Sequence, residues 1–500
     1  MLNIKKHNKI SAIVLISVGL LVLLLLNVIP QSGDSTHYMP LLEVVGDVKE
    51  SVSLDYVQKH SEAVTINYRD DSLEVAPLEE VIKKANPKTE RFDVLFISHD
   101  GYSALISNKN LEKSYIAQSK EYGWEAINKN HPPSSNVKDV KKIVIVSDDL
   151  SVEDSFNIIR PGENIASLSV GQLYKKGYST VFTFRGESTI KNDGESLDVT
   201  TFNKRKIIDI EKYINDDEEA LVVGKKGEEA SLDKEGKLVL NNNSIGYVVN
   251  GELKIQDVVG VVIKPPAKRI TDVYYDTKKM LNQEENVMLI LIDGLGYHQY
   301  QYAKKNDYIP FLESLPEPQK AMVAYPSVTP VNLAASLTGE LPYVNGVYKR
   351  GIRKVEVPTI FGFCKKQNKE AAAVIGPIGT IELEIPPVLS MDENNDGSTD
   401  DEKTENALKK MSKGLDLLFV HYKDVDIAGH NYGDLAVEIL EDLKKIDSYV
   451  NQLVAKWDGK VIVYADHGMH KTEEGGDHGS LITEDMFMPY WIFNGGAINE

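Results

Sequence analysis

Six short apolar runs in the second half of the chain constrain its fold more than anything else in the sequence. They are VMLILI (287–292), AMVAY (321–325), AAAVIG (371–376), LDLLFV (415–420), KVIVYA (460–465) and PYWIF (489–493). Apolar side chains at consecutive positions mean strands covered on both faces, because a half-exposed strand would alternate with polar residues. Helical stretches separate the runs. The longest, Asp434 to Trp457, repeats Leu435, Ile439, Leu443, Ile446, Val450 and Leu453 at three- and four-residue steps, the period of a one-sided helix. Strand and helix in alternation predict an α/β domain with a mostly parallel sheet between helical layers.

In such sheets ligands gather beyond the C-terminal ends of the strands, and here those ends carry metal-binding chemistry. VMLILI runs into Asp293. LDLLFV is followed by His421, Asp424, Asp426 and His430. KVIVYA ends at Asp466-His467, and His478 follows eleven residues later in a second Asp-His-Gly tripeptide. Imidazole and carboxylate are the ligands of zinc and its neighbours. Asp426 and His430, four apart, share one helical face, which favours Asp426 over Asp424. AMVAY leads to Pro326-Ser327-Val328-Thr329-Pro330. Thr at the N-cap with Pro next to it starts a helix and sets a hydroxyl at the positive end of the helix dipole. That position suits an attacking oxygen next to a phosphate, and it favours Thr329 over Ser327 as nucleophile.

The motifs LILIDGLG, YPSVTPVNLAASLTGELPYVNGV, DIAGHNYG and ADHGM with a later HG resemble, in this order, the alkaline phosphatase superfamily, in its type I phosphodiesterase/nucleotide pyrophosphatase branch. The resemblance spans roughly residues 286–496. It implies an alkaline-phosphatase-like α/β/α sandwich and two divalent ions, with zinc expected ahead of manganese. One ion would be held by Asp293, Thr329, Asp466 and His467, and the other by Asp426, His430 and His478. Thr329 would form a phospho-threonine intermediate. The phosphate-binding asparagine of the pyrophosphatases would fall near Lys349-Arg350; Arg350 and Asn332 are the candidates for that role. The close DHGM…GDHG spacing is similar to the GPI ethanolamine-phosphate transferases.

His298, His421 and His470 fall outside the pattern and are expected as surface or packed residues. Asp477 is balanced between orienting His478 and a plain turn role. The loop Asp392–Glu402 starts like a calcium loop at Asp392, Asn394, Asp396 and Gly397, but Lys403 stands where the bidentate acid belongs. A solvated acidic loop is therefore expected ahead of a Ca2+ site. Cys364, the single cysteine, excludes an intrachain disulfide and reads as a packed residue.

Ile10 to Ile29 is nearly unbroken apolar sequence behind Lys5, Lys6 and Lys9. It is long enough to span a bilayer, with the lysines cytoplasmic. The expectation is an uncleaved bacterial anchor (10–29) after a cytoplasmic stub (1–9), with the catalytic domain outside the cell membrane. Residues 40–264 read as a β-rich α+β region, two modules meeting near Asp148–Asp154, with hairpins such as the one at Asn250-Gly251. Phe92–Ser147 bears a faint resemblance to molybdopterin-binding oxidoreductase domains through FISHDGYSALIS and KKIVIVSDD; their metal-binding cysteine is absent, so no cofactor is implied. Residues 265–285 read as a polar linker and 286–500 as the catalytic domain. A net charge of −19 argues against a nucleic-acid surface.

The expected function is a membrane-anchored two-metal phosphodiesterase or phosphatase acting on a small-molecule or lipid head-group phosphoester. The alternatives are a phosphoethanolamine-type head-group transferase and, from another class, a cell-surface interaction protein built on an inactive enzyme.

Overall fold

A computed structural model describes residues 41–55, 62–69, 71–119, 121–176, 178–192, 195–215 and 217–496. The anchor expected at Ile10–Ile29 lies outside these residues. Among the described residues no helix is long and apolar enough to cross a membrane.

Residues 42–147 form two sheets around one core. One runs in the order Val52–Leu54, Leu42–Gly46, Val140–Ser147, Phe92–Ser98, Ser103–Ser107; the other is the meander Val64–Tyr68, Asp71–Pro77, Ser114–Ser119, Gly123–Asn128. The helix Leu78–Ala85 buries Leu78, Val81, Ile82 and Ala85, the i, i+3, i+4, i+7 stripe of a helix lying on a core. Residues 156–263 form two further sheets around a second core. Within one of these, Asn250 and Gly251 both have positive φ, 49° and 82°, as a two-residue turn between Ile245–Val249 and Glu252–Ile255 requires.

The second half holds an eight-stranded sheet in the order Lys268–Arg269, Gln319–Met322, Phe487–Asn494, Lys460–Tyr464, Val287–Ile292, Leu417–Tyr422, Ala371–Ile375, Val388–Leu389. Phe487–Asn494 is antiparallel to both of its neighbours, and the other pairings are parallel. All six residues of the central strand Val287–Ile292 are buried, so both faces of the sheet are covered. The helices that do this fall into two groups. Asp272–Asn282, Thr329–Thr338 and Ile360–Lys366 pack together, as do Pro310–Ser314, Asp400–Met411 and Val437–Val454.

Three local expectations change. Residues 265–285 are no linker: they supply the edge strand Lys268–Arg269 and the helix Asp272–Asn282, whose Val273 and Leu281 are buried. Polar composition concealed them because the helix buries only one narrow stripe. The strand expected over 321–325 is Gln319–Met322. Beyond it the Ala324 N–H donates to the Asn332 side chain, which bends the chain toward Thr329. The long helix starts at Val437, three residues late, because the Asp434 carbonyl is taken by Gln299 Nε2.

The N-terminal half is fastened to the eight-stranded sheet. Ile159, Val223 and Val262 belong to the same buried cluster as Val287–Ile292. Gly260 lies so close to Leu481 that a Cβ would come within 2.5 Å of its Cδ2. At the tip of the hairpin Phe156–Leu168, Gly162 N–H donates to Thr483 Oγ1 at 2.7 Å, and Thr483 N–H donates to Asn164 Oδ1 at 2.8 Å.

Candidate metal centre

The residues at the strand ends converge. Asp293 leaves the central strand, and Asp466-His467 leaves its neighbour Lys460–Tyr464. All three are fully buried. Asp426 and His430 lie one turn apart on the helix Asp424–Tyr432. The second Asp-His-Gly returns His478 through the ladder in which His470–Lys471 pairs with Gly476–Asp477. That small hairpin explains the eleven-residue spacing, because it stacks the His467 and His478 rings 3.6 Å apart.

Two ligand groups result, Asp293 with Asp466 and His467, and Asp426 with His430 and His478. In the first, His467 Nε2 lies 3.3 Å from Asp293 Oδ1 and 3.4 Å from Asp466 Oδ2. In the second, His430 Nε2 and His478 Nε2 each lie 3.5 Å from Asp426 Oδ1. Gly294 joins the groups: its φ of +77° suits glycine, and a Cβ there would stand 3.1 Å from Asp426 Cα.

The donor set fits divalent metal. Asp426 Oδ1 and Asp466 Oδ2 are shielded from solvent without a hydrogen-bond partner, which is costly unless a cation faces them. Each imidazole has its Nδ1 within reach of a main-chain carbonyl: His430 with Gly476 O at 3.0 Å, His467 with Gly468 O at 3.0 Å, His478 with Ser327 O at 2.9 Å. Donation from Nδ1 leaves the Nε2 lone pairs for metal, the usual arrangement of metal-binding histidines. The charges are unbalanced without an ion. Burial, together with Asp293 and Asp426, pushes the Asp466 carboxyl up to about 8. Burial also pulls on the His467 imidazole, but Asp466 and Asp293 outweigh it and hold it up at about 10.

Thr329 stands over the first group, its Oγ1 3.2 Å from His467 Nε2 and 3.4 Å from Asp293 Oδ1. It is the first helical residue of Thr329–Thr338 rather than the cap; Val328 takes the cap position and Pro330 follows. The shift moves the hydroxyl by one position and keeps it at the positive end of the helix. Ser327 is turned away, its Oγ donating to Ser480 O. Arg350 reaches the second group, with Nη2 3.1 Å from His478 Nε2. Asn332 does not reach the site. It is fully buried, its Oδ1 accepts from Ala324 N–H, and its Nδ2 donates to Ala324 O and Pro326 O. Asp424 is also elsewhere, accepting from Ser398 Oγ. Asp477 Oδ1 accepts from the His478 N–H and lies 4.0 Å from Arg350 Nη2, while Ser327 O, not Asp477, orients the His478 imidazole.

Residues 287–488 match the family model described as type I phosphodiesterase / nucleotide pyrophosphatase. This region is therefore similar to the type I phosphodiesterases / nucleotide pyrophosphatases. Similar solved structures include murine ectonucleotide pyrophosphatase/phosphodiesterase 5, at 14% identity and a TM-score of 0.32 over 38% of this chain and 59% of that one. The human counterpart has 16% identity and a TM-score of 0.32 over 38% and 58%. Phosphonoacetate hydrolase from Sinorhizobium meliloti 1021, in complex with phosphonoformate, has 17% identity and a TM-score of 0.32 over 39% and 59%. The chain thus covers less than two thirds of each. No curated protein matches the chain.

The candidate site also draws on two histidines that the sequence pattern passed over. His421 is buried in its strand and sets Nε2 2.9 Å from Asp293 Oδ2, the oxygen opposite the one near His467 and Thr329. Its hydrogen bond and that of His467 hold Asp293 well below the usual carboxylate range, against the pull of burial. His470 Nδ1 lies 2.8 Å from the buried Asp485, whose other oxygen accepts from Gly479 N–H and Ser480 N–H. The pair pins the loop that carries His478. A polar residue inside the apolar run LLFVHY was the available signal for His421. Asp485 had none, because two of its partners are main-chain N–H groups and the third, His470, is fifteen residues away.

Proposed function

We propose that this protein is a membrane-anchored, extracytoplasmic phosphoester hydrolase with two divalent ions, acting on phosphodiesters through Thr329. The observation that carries the reading is the pair of ligand groups, each with an orphaned carboxylate oxygen, beside a hydroxyl at a helix N-terminus. Asp293, Asp466 and His467 would hold one ion with Thr329, and Asp426, His430 and His478 the other. When bound, the ions would favour ionisation of the threonine hydroxyl and offset charge on the attacking and leaving oxygens.

Thr329 Oγ forms a bond to phosphorus as the bond to the leaving oxygen breaks, giving phospho-threonine. Arg350 donates to a non-bridging oxygen of the phosphoryl group. Water then attacks phosphorus and releases Thr329 with its proton restored. If an acceptor hydroxyl replaced water, the same residues would run a head-group transfer. The apolar segment Ile10–Ile29 behind three lysines supports the anchor and the export of the catalytic half. Tyr325, on the approach to Thr329, has its carbonyl packed against Gly227 of the N-terminal half, which supports that half as a wall of the substrate site.

The test is turnover of purified protein on aryl phosphate mono- and diesters, nucleotides and phospholipids, with zinc or manganese restored after chelation. Diester turnover that requires added metal is expected. Thr329→Ala should lower it by roughly three orders of magnitude, as removal of a nucleophile does, with bound metal largely retained. Full turnover by Thr329→Ala would remove the nucleophile assignment, and metal-independent activity would remove the mechanism.

A further inference from the structure

The strands Ser179–Asn192 and Glu195–Ile207 form a long hairpin in the N-terminal half that the phosphoester chemistry does not use. They pair with each other along their whole length, from Ser179 with Ile207 to Asn192 with Glu195. Among the described residues only Ile207 pairs onward, with Val239 of the neighbouring strand. The rest of the hairpin stands clear of its sheet as a two-stranded ribbon roughly 40 Å long. A ribbon with both edges open is marginal by itself in water. This one also carries apolar side chains into solvent: Phe182 is 72% exposed, Phe202 56% and Val199 54%.

Register sorts one face of the ribbon into three zones. Directly paired residues share a face, and so do alternate residues of one strand. Phe182 pairs with Lys204, Glu187 with Thr200 and Thr189 with Asp198, and a bulge between Phe184 and Gly186 brings Glu187 onto the face of Phe182. Thr189 Oγ1 donates to Asp198 Oδ1 at 2.6 Å, and Thr200 Oγ1 to Glu187 Oε1 at 3.5 Å. This face thus runs from Lys206 and Lys204 at the base, through Phe182 and Phe202, to Glu187 and Asp198 toward the tip. At the base, Lys204, Arg205 and Lys206 line a cavity of about 500 Å³ with Tyr174 and Asn242, and no carboxylate lines it. Arg205 Nε is shielded without a hydrogen-bond partner. Burial, with Lys142 and Lys141 nearby, holds Lys206 below the usual lysine range at about 8. In a chain of net charge −19, a cavity lined by cations alone is a local excess that an acidic occupant would neutralise.

The three zones are complementary to themselves. When two ribbons are laid face to face and end to end about a two-fold axis at Phe202, the two Phe202 rings meet. Lys204 then comes level with Glu187 of the second copy, and Lys206 with its Asp198. We propose that the chain forms a two-fold dimer through this ribbon face, the basic base of each copy receiving the acidic tip of the other. Such a contact is isologous and closes at two copies. The phenylalanines leave water together, and the tip supplies the carboxylates that the cavity lacks. One face of a ribbon of this length lies at the low end of specific interfaces, so the dimer is reversible, with a dissociation constant on the order of 10⁻⁵ M. The rival occupant for exposed phenylalanines is a lipid surface, and Glu187 and Asp198 on the same face count against an anionic one.

The experiment is sedimentation equilibrium of the purified full chain in mild detergent, from about 1 to 100 μM. A monomer that becomes a dimer across this range is expected, and about 0.5 M salt should weaken the dimer by screening the charge pairs. Lys204→Glu and Glu187→Lys should each weaken it at least about tenfold. The two together should restore it, because each new charge meets its opposite on the second copy. Phe202→Ser should weaken it about tenfold as well. These side chains are exposed, so the variants should keep the wild-type circular dichroism. A chain that stays monomeric throughout overturns the proposal. So does a dimer that all these substitutions leave unchanged, or a charge swap that fails to restore what the single changes lost. A monomer in which the emission added by Phe202→Trp shifts to the blue with phosphatidylglycerol vesicles gives the face to lipid and also overturns it. None of these readouts needs turnover or bound metal, so they stand apart from the proposed hydrolase activity.

Discussion

Each imidazole of the centre is fixed through the nitrogen that does not face the metal position, and each partner is a main-chain carbonyl. Among the carboxylates, Asp466 Oδ1 accepts from the Gly294 N–H, whereas Asp293 depends on a side chain, His421. If His421 only filled space, a smaller side chain would cost stability and nothing else. If it orients Asp293, His421→Ala should weaken metal binding by about 10–100-fold, read as the free zinc needed to restore half of the activity, with a much smaller change in kcat at saturating zinc. Cys364 is a contrasting case. Burial, with Asp416 beside it, pushes its thiol up to about 12, so it should resist alkylation by iodoacetamide at pH 8 until the protein is unfolded. Rapid labelling of native protein, followed by mass spectrometry, would contradict that placement.

Among the elements, the segment from Asp466 to Asp485 concentrates the most function. Its short ladder folds the two Asp-His-Gly tripeptides side by side, so that His467 serves one ligand group and His478 the other. Asp485 makes this possible by accepting two loop N–H groups and the His470 ring. Asp485→Ala leaves those donors unsatisfied and should destabilise the fold by about 1–3 kcal/mol. It should also loosen the group that includes His478 more than the group that includes His467. Chemical denaturation measures the first effect, and the stoichiometry of tightly held zinc measures the second. Equal loss of both ions would mean that the loop acts as one rigid unit with the strand end.

The two halves of the molecule share a core, since Ile159, Val223 and Val262 of the N-terminal half are buried with the central strands. The hairpin tip at Gly162 and Asn164 is hydrogen-bonded to Thr483 and Glu484, just beyond the His478 loop. A fragment of residues 265–500 would expose that apolar face and free the loop. It should be less soluble than the full chain and unfold at least about 5 °C lower, with weakened metal binding. A fragment of unchanged Tm and activity would show that the N-terminal half is an independent attachment.

What the sequence determined by itself was the chemistry at the strand ends. Continuous apolar runs mark buried strands, and Asp293, Thr329, Asp426, His430, Asp466, His467 and His478 follow them at positions that a parallel sheet must bring together. Those features are local, so they can be read along the chain. What only the tertiary structure decided depends on partners distant in sequence. His421 gains its role from Asp293 across a strand pair, and Asp485 from two main-chain N–H groups. Asn332 loses its expected role because the bend after Met322 consumes every polar atom it has. In the acidic loop Lys403 turns inward to Asp400, and Glu402 accepts from the Glu393 and Asn394 N–H groups. Hydrogen bonds to the main chain leave no mark in the order of residues, and those bonds set which side chains are free to meet a ligand.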